Sequence, residues 1–161
     1  MYERSYGVKY AEPAQYASAA EIAKLIRRDI KAAIADGDLP GTTKNYSVRS
    51  RSYSGGQSID IVAKGLDGLF EQCPGYIENK YGTGGVYSCG YPWCKAGGEY
   101  KDSPSAQYHQ ILTAKGRQVE NLLQAIHDAY NHDGSNSQID YFDRRYWGSA
   151  EVSRYHNPGG R

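Results

Sequence analysis

At 161 residues, with 19 Lys and Arg against 18 Asp and Glu, the chain is long enough to bury a core of its own, and it is expected to form one domain over residues 1–161. Its formal net charge of +1 excludes a global field that would draw it to nucleic acid or acidic membrane, so any such binding must be local. No apolar run approaches the ~18 residues that span a bilayer, and the opening MYERSYGVKY lacks the pattern of a secretory signal, so a cytoplasmic protein without membrane association is expected.

Two biases shape the reading. The chain holds 16 Tyr but two Phe and two Trp, so most of its aromatic surface ends in a hydroxyl, which suits both half-buried core edges and recognition surfaces. Its three cysteines, an odd number, fit reduced thiols or a metal site better than an extracellular disulfide framework.

In chain order, residues 1–17 carry Tyr2, Tyr6, Tyr10 and Tyr16 around Pro13 and read as an irregular lead-in. Ser18-Ala19-Ala20-Glu21 matches a capping box and starts a helix whose apolar stripe is Ile22, Leu25, Ile26, Ile30, Ala33 and Ile34. Asp36 to Gly41 ends it. Residues 45–63 then predict a β-hairpin: Tyr46 and Val48 alternate with Ser47, Arg49 and Arg51, Ile59 and Ile61 alternate with Ser58 and Asp60, and Ser54-Gly55-Gly56 supplies the reversal. Residues 69–80 read as a short helix broken at Pro74-Gly75. Residues 81–104, rich in Gly, Tyr, Cys and Pro, read as an irregular insertion with one short hairpin that includes Val86 and Tyr87. A second amphipathic helix starts at Thr113 and carries Val119, Leu122, Leu123, Ile126 and Tyr130 on its stripe. Residues 139–152 read as a strand or a bent pair of strands with the bend at Gly148, and residues 153–161 as a flexible tail.

Together these elements predict an α+β fold. It is expected to be a two-layer sandwich, an antiparallel sheet built on the central hairpin with both amphipathic helices on one face and the Gly/Tyr/Cys-rich insertion outside it.

The succession AAEIAKLIRRDIKAAI (residues 19–34), YSVRSRSYSGGQSIDI (46–61) and AYNHDGSNSQIDYFDRRYWGSAEV (129–152) resembles the large polyvalent-protein-associated domains of phage and conjugative-element proteins. The likeness covers roughly half the chain and leaves the insertion unmatched. It implies a mobile-element setting and a role exercised inside a bacterial host, with host defence as one target, and it implies no catalytic residues.

Candidate chemistry is sparse. Cys73, Cys89, Cys94 and His109 are ligand types that zinc prefers. Four residues separate Cys89 from Cys94 and no second close pair follows, so buried reduced thiols are the first reading and zinc the alternative. Arg49 and Arg51 on one strand face, with Lys44 and Tyr53 nearby and Arg27, Arg28 and Lys31 on the first helix, could follow a phosphate backbone, or could simply solvate the outer face of a sheet. Tyr87, Tyr91 and Trp93 in the insertion are further contact candidates. Asp140 and Asp143 flank two residues, so on a strand they would face opposite ways and make a poor carboxylate dyad, with Asp133 and His132 close in sequence. No Walker loop, dinucleotide fingerprint, G-x-S-x-G or H-E-x-x-H is present. The expected function is a noncatalytic accessory protein, without cofactor, that binds a host protein complex or nucleic acid and interferes with a host process. The alternative is an enzyme acting on nucleic acid or nucleotide near the insertion. Oligomeric state is left open.

Overall fold

The computed structural model describes residues 4–78, 85–87 and 89–153. In chain order these form β1 (Ser5–Tyr6), α1 (Ala19–Ala35), β2 (Tyr46–Tyr53), β3 (Gly56–Ala63), β4 (Phe70–Gln72), β5 (Tyr76–Glu78), β6 (Gly85–Tyr87), β7 (Gln110–Leu112), α2 (Ala114–Asp128), β8 (His132–Asp133) and β9 (Ala150–Val152). The fold is mixed α+β. The chain divides into two compact units, Asp67–Arg117 and the remainder, Met1–Leu66 with Gln118–Arg161.

In the larger unit, α1 starts where the capping box places it. The Ser18 hydroxyl accepts from the Glu21 amide at 3.2 Å and the Glu21 carboxylate accepts from the Ser18 amide at 2.7 Å, so two donors that the helix leaves orphaned are satisfied. Ile22, Ala23, Ile26 and Ile30 are buried on the stripe. Each buried isoleucine contributes about 1.5–3 kcal/mol of apolar transfer. The partner surface is the inner face of the hairpin, where Val48, Ile59 and Ile61 are buried. The register Val48↔Ile61 and Arg49↔Asp60 puts alternate rungs on opposite faces. A two-residue turn, Ser54-Gly55, closes the hairpin, with Gly55 at φ +94.

The third strand departs from the antiparallel expectation: β9 pairs with β3 in parallel, Ile61↔Ala150 to Ala63↔Val152. Parallel neighbours need a crossover, and the chain between β3 and β9 includes α2. That helix also covers the β9 edge of the sheet. The Gln124 side chain accepts from the Ala150 amide at 3.0 Å and the Glu120 carboxylate accepts from the Val152 amide at 3.1 Å, so β9 offers few amides to another strand.

Residues 139–152 form less strand than their pattern predicts. A 3-10 turn at Ser137–Ile139 leads to Asp140 in the left-handed region, φ 54, and isolated bridges carry the chain to β9. The bend at Gly148 is present, at φ +106. The lead-in is not wholly irregular either, because β1 pairs antiparallel with β8, Ser5↔Asp133 and Tyr6↔His132. The tail beyond residue 153 lies outside the described residues.

In the smaller unit, the helix expected over residues 69–80 is replaced by β4 and β5. Pro74 cannot sit in a helix interior, and both flanks find strand partners: β4 pairs with β7 and β5 with β6, both antiparallel. The β5–β6 pair is the short hairpin expected in the insertion, begun earlier in the chain than residue 81.

Candidate binding face and thiol cluster

The outward face of the β2–β3–β9 sheet belongs to the larger unit and collects the predicted arginines. Arg49, Arg51 and Tyr53 alternate outward on β2 because Val48 and Tyr46 point inward. Arg51 is the cross-strand partner of Ser58, and Ser58 bridges Trp147 in parallel, so Arg51, Ser58 and Trp147 share one rung across the sheet. The next rung holds Arg49 and Asp60. A shallow depression of about 380 Å³ runs over Arg49, Arg51 and Asp60 and is also lined by Lys64 and Glu151. Among the described residues the Arg49, Arg51 and Lys64 side chains make no hydrogen bond or ion pair, so their charge is free for a partner.

Aromatic side chains rim this face. Phe142 packs 6.0 Å from Trp147, centroid to centroid, and the Arg144 guanidinium lies 4.9 Å above the Trp147 ring. Tyr53 and Phe142 are both well exposed. The sequence reading missed Lys64, Phe142, Arg144 and Trp147. Their joining depends on the parallel pairing of residues 147–152 with β3, for which the chain carries no local signal.

The other predicted basic residues are placed differently. Arg27 donates to the Val48 carbonyl at 2.6 Å and so ties α1 to β2. Arg28 is engaged by Glu12 at 3.2 Å and Asp29 at 3.0 Å, which holds its guanidinium above its ordinary value. Both cations are spent on intramolecular contacts. Lys31 is exposed on α1, and Lys44 is exposed in the turn that precedes β2. Tyr91 and Trp93 are exposed in the smaller unit, stacked on His109 and Tyr100 respectively, each at 4.6 Å. The Tyr87 side chain lies outside the described residues.

Asp140 and Asp143 do not converge. The Asp143 carboxylate instead meets His132 Nε2 at 2.9 Å and Arg4 at 3.4 Å. His132 Nδ1 is buried without a hydrogen-bond partner among the described residues, enclosed in part by the rings of Tyr6 and Tyr10.

The smaller unit is built around its cysteines. Cys73, Cys89 and Cys94 are only 3%, 9% and 0% exposed and form a buried cluster against which Ala96 and Ile111 pack. Their sulfur atoms all lie within 4.8 Å of one another, close enough to share one ion. Linear spacing hid this, because the β5–β6 pair carries the chain out and back, so that Cys73 and Cys89 flank one hairpin. Two of the sulfurs accept backbone amides two residues on. The Gly75 amide lies 3.3 Å from Cys73 Sγ, and the Ala96 amide serves Cys94. Burial, helped by the other two thiols, pushes the Cys89 thiol up to about 11. Burial also acts to raise Cys94, but the Ala96 and His109 amides and the neighbouring thiols outweigh it and hold that thiol below its usual value.

No family model, curated protein or solved structure matches the chain.

Proposed function

We propose that the chain is a noncatalytic binding protein of a phage or mobile element, which engages a host protein through the outward face of the β2–β3–β9 sheet and so interferes with a host process. One observation carries the reading: the unpaired Arg51 shares a rung with the half-exposed Trp147, beside Arg49, Asp60 and Glu151. Arginine and large aromatic side chains are the types that anchor protein interfaces. Carboxylates of Asp60 and Glu151 within the same depression would repel a phosphate backbone, whereas a protein surface can complement both signs. The mobile-element setting rests on the resemblance of residues 19–34, 46–61 and 129–152, and host defence is the process it suggests.

The test has two stages. Tagged full-length chain is used to capture partners from host lysate, and the captured protein is then purified and titrated against wild-type chain, Arg51→Ala and Trp147→Ala. A purified partner whose affinity falls at least tenfold with each variant supports the proposal. Equal affinity for all three, or retention of single-stranded nucleic acid at moderate salt with no protein partner, overturns it.

A further inference from the structure

The thiol cluster is independent of the binding face and has a chemistry of its own. A unit of about fifty residues, Asp67–Arg117, is small for an apolar interior, and among the described residues its buried hydrophobic side chains are Leu69 and the three cysteines. Units of that size are ordinarily held by disulfides or a metal. Three cysteines cannot all pair with one another, whereas three thiolates and one further ligand satisfy a tetrahedral ion.

The group of ligand atoms that lie together is the three sulfurs, and the register brings one more ligand type beside them. Strands β4 and β7 pair Phe70↔Leu112, Glu71↔Ile111 and Gln72↔Gln110, and the Cys73 amide donates to the His109 carbonyl at 2.7 Å, which continues the ladder by one rung. His109 therefore stands opposite Cys73. It also lies two residues from Ile111, which packs on the cluster, so on an extended chain His109 and Ile111 share a face. The backbone amide of His109 reaches Cys94 as well. The imidazole stacks on Tyr91 at 4.6 Å and 14°, and neither ring nitrogen has a hydrogen-bond partner among the described residues.

We propose that Cys73, Cys89, Cys94 and His109 bind one zinc ion, His109 turning from its stack on Tyr91 to supply the fourth ligand. Soft thiolates with one imidazole are a set that selects zinc over the hard cations magnesium and calcium. On binding, the three thiols release their protons to solvent and the neutral imidazole donates a lone pair, leaving the centre with one net negative charge. The amides of Gly75 and Ala96, already directed at Cys73 and Cys94, stabilise that charge. Gly75 is required for the arrangement: at φ +95 its absent Cβ would lie 1.7 Å from the Ala96 carbonyl oxygen, so the two cysteine loops touch backbone to backbone.

The experiment uses the full chain. Elemental analysis after purification without chelator is expected to find close to one zinc per chain. The chain stripped of metal and titrated with cobalt(II) is expected to develop the sulfur-to-cobalt charge-transfer band in the near ultraviolet and the d–d bands of a tetrahedral centre. Absence of both cobalt signals in wild-type chain overturns the site, and this measurement needs no variant that could unfold. His109→Ala is expected to keep the charge-transfer band, alter the d–d envelope and weaken cobalt binding at least tenfold. An unchanged spectrum and affinity in that variant overturns the role of His109.

Discussion

His127 Nε2, on α2, lies 2.8 Å from the carbonyl oxygen of Ile59, on β3, and both residues are buried. The carbonyl can only accept, so Nε2 carries the proton and the helix is joined to the sheet by a hydrogen bond inside the core. Nδ1 faces the Asp128 carboxylate at 2.7 Å. Replacing His127 by Leu removes the donor and leaves the Ile59 carbonyl buried. A loss of about 1–3 kcal/mol is expected, seen as a lower urea midpoint at unchanged slope. A midpoint equal to wild type would show that water reaches Ile59 in the folded protein.

Acid stability is expected to depend on Asp29. Burial acts to raise its carboxyl, but the Tyr130 hydroxyl, the Lys9 ammonium at 3.0 Å and the Arg28 guanidinium outweigh it and hold it below the ordinary carboxylate value. A depressed folded pKa means that the unfolded chain binds more protons. The stabilisation is therefore complete above about pH 4 and is lost as pH falls through the folded value. Urea midpoints stepped from about pH 6 to about pH 3 should fall for wild type and fall less steeply for Asp29→Asn. Parallel curves would remove Asp29 from the account.

Gly148 and Gly37 both have positive φ, +106 and +80, but only Gly148 is crowded. A Cβ there would meet the Ile59 carbonyl oxygen at 2.0 Å, whereas nothing lies within 4 Å at Gly37. Gly37→Ala should cost about 1–2 kcal/mol of backbone strain. Gly148→Ala should cost more, because β9 must also move off β3. Thermal melts of the two variants test this, and equal losses would contradict it.

Gly75→Ala should separate the two units in their response. Its Cβ would force the Cys73 and Cys94 loops apart, so cobalt affinity should fall at least tenfold and amide exchange should accelerate across Asp67–Arg117. Amides of α1 and β3 should keep their protection, because their core of Ile22, Ile26, Ile59 and Ile61 is untouched. Wild-type cobalt binding in this variant would show that the loop contact does not bring the sulfurs together.

Features set by neighbours along the chain could be read without the fold. The capping box fixes where α1 begins, alternation of Val48 and Arg49 decides which face of the hairpin is buried, and Gly55 allows its turn, each within a few residues. Features that depend on distant segments were set by pairing across the fold. Residues 70–72 and 76–78 became strands instead of a helix because β7 and β6 supplied partners, and β9 pairs in parallel with β3 across a connection that includes α2. The two candidate sites divide in the same way. Arg49 and Arg51 were legible as an outward pair from their spacing of two, but Trp147 joins Arg51 only through the rung at Ser58. The four residues between Cys89 and Cys94 argued against a metal centre, yet the β5–β6 hairpin returns the chain so that Cys73 meets them. Hydrogen bonding between strands brings residues together regardless of their separation in sequence, and linear spacing carries no record of it.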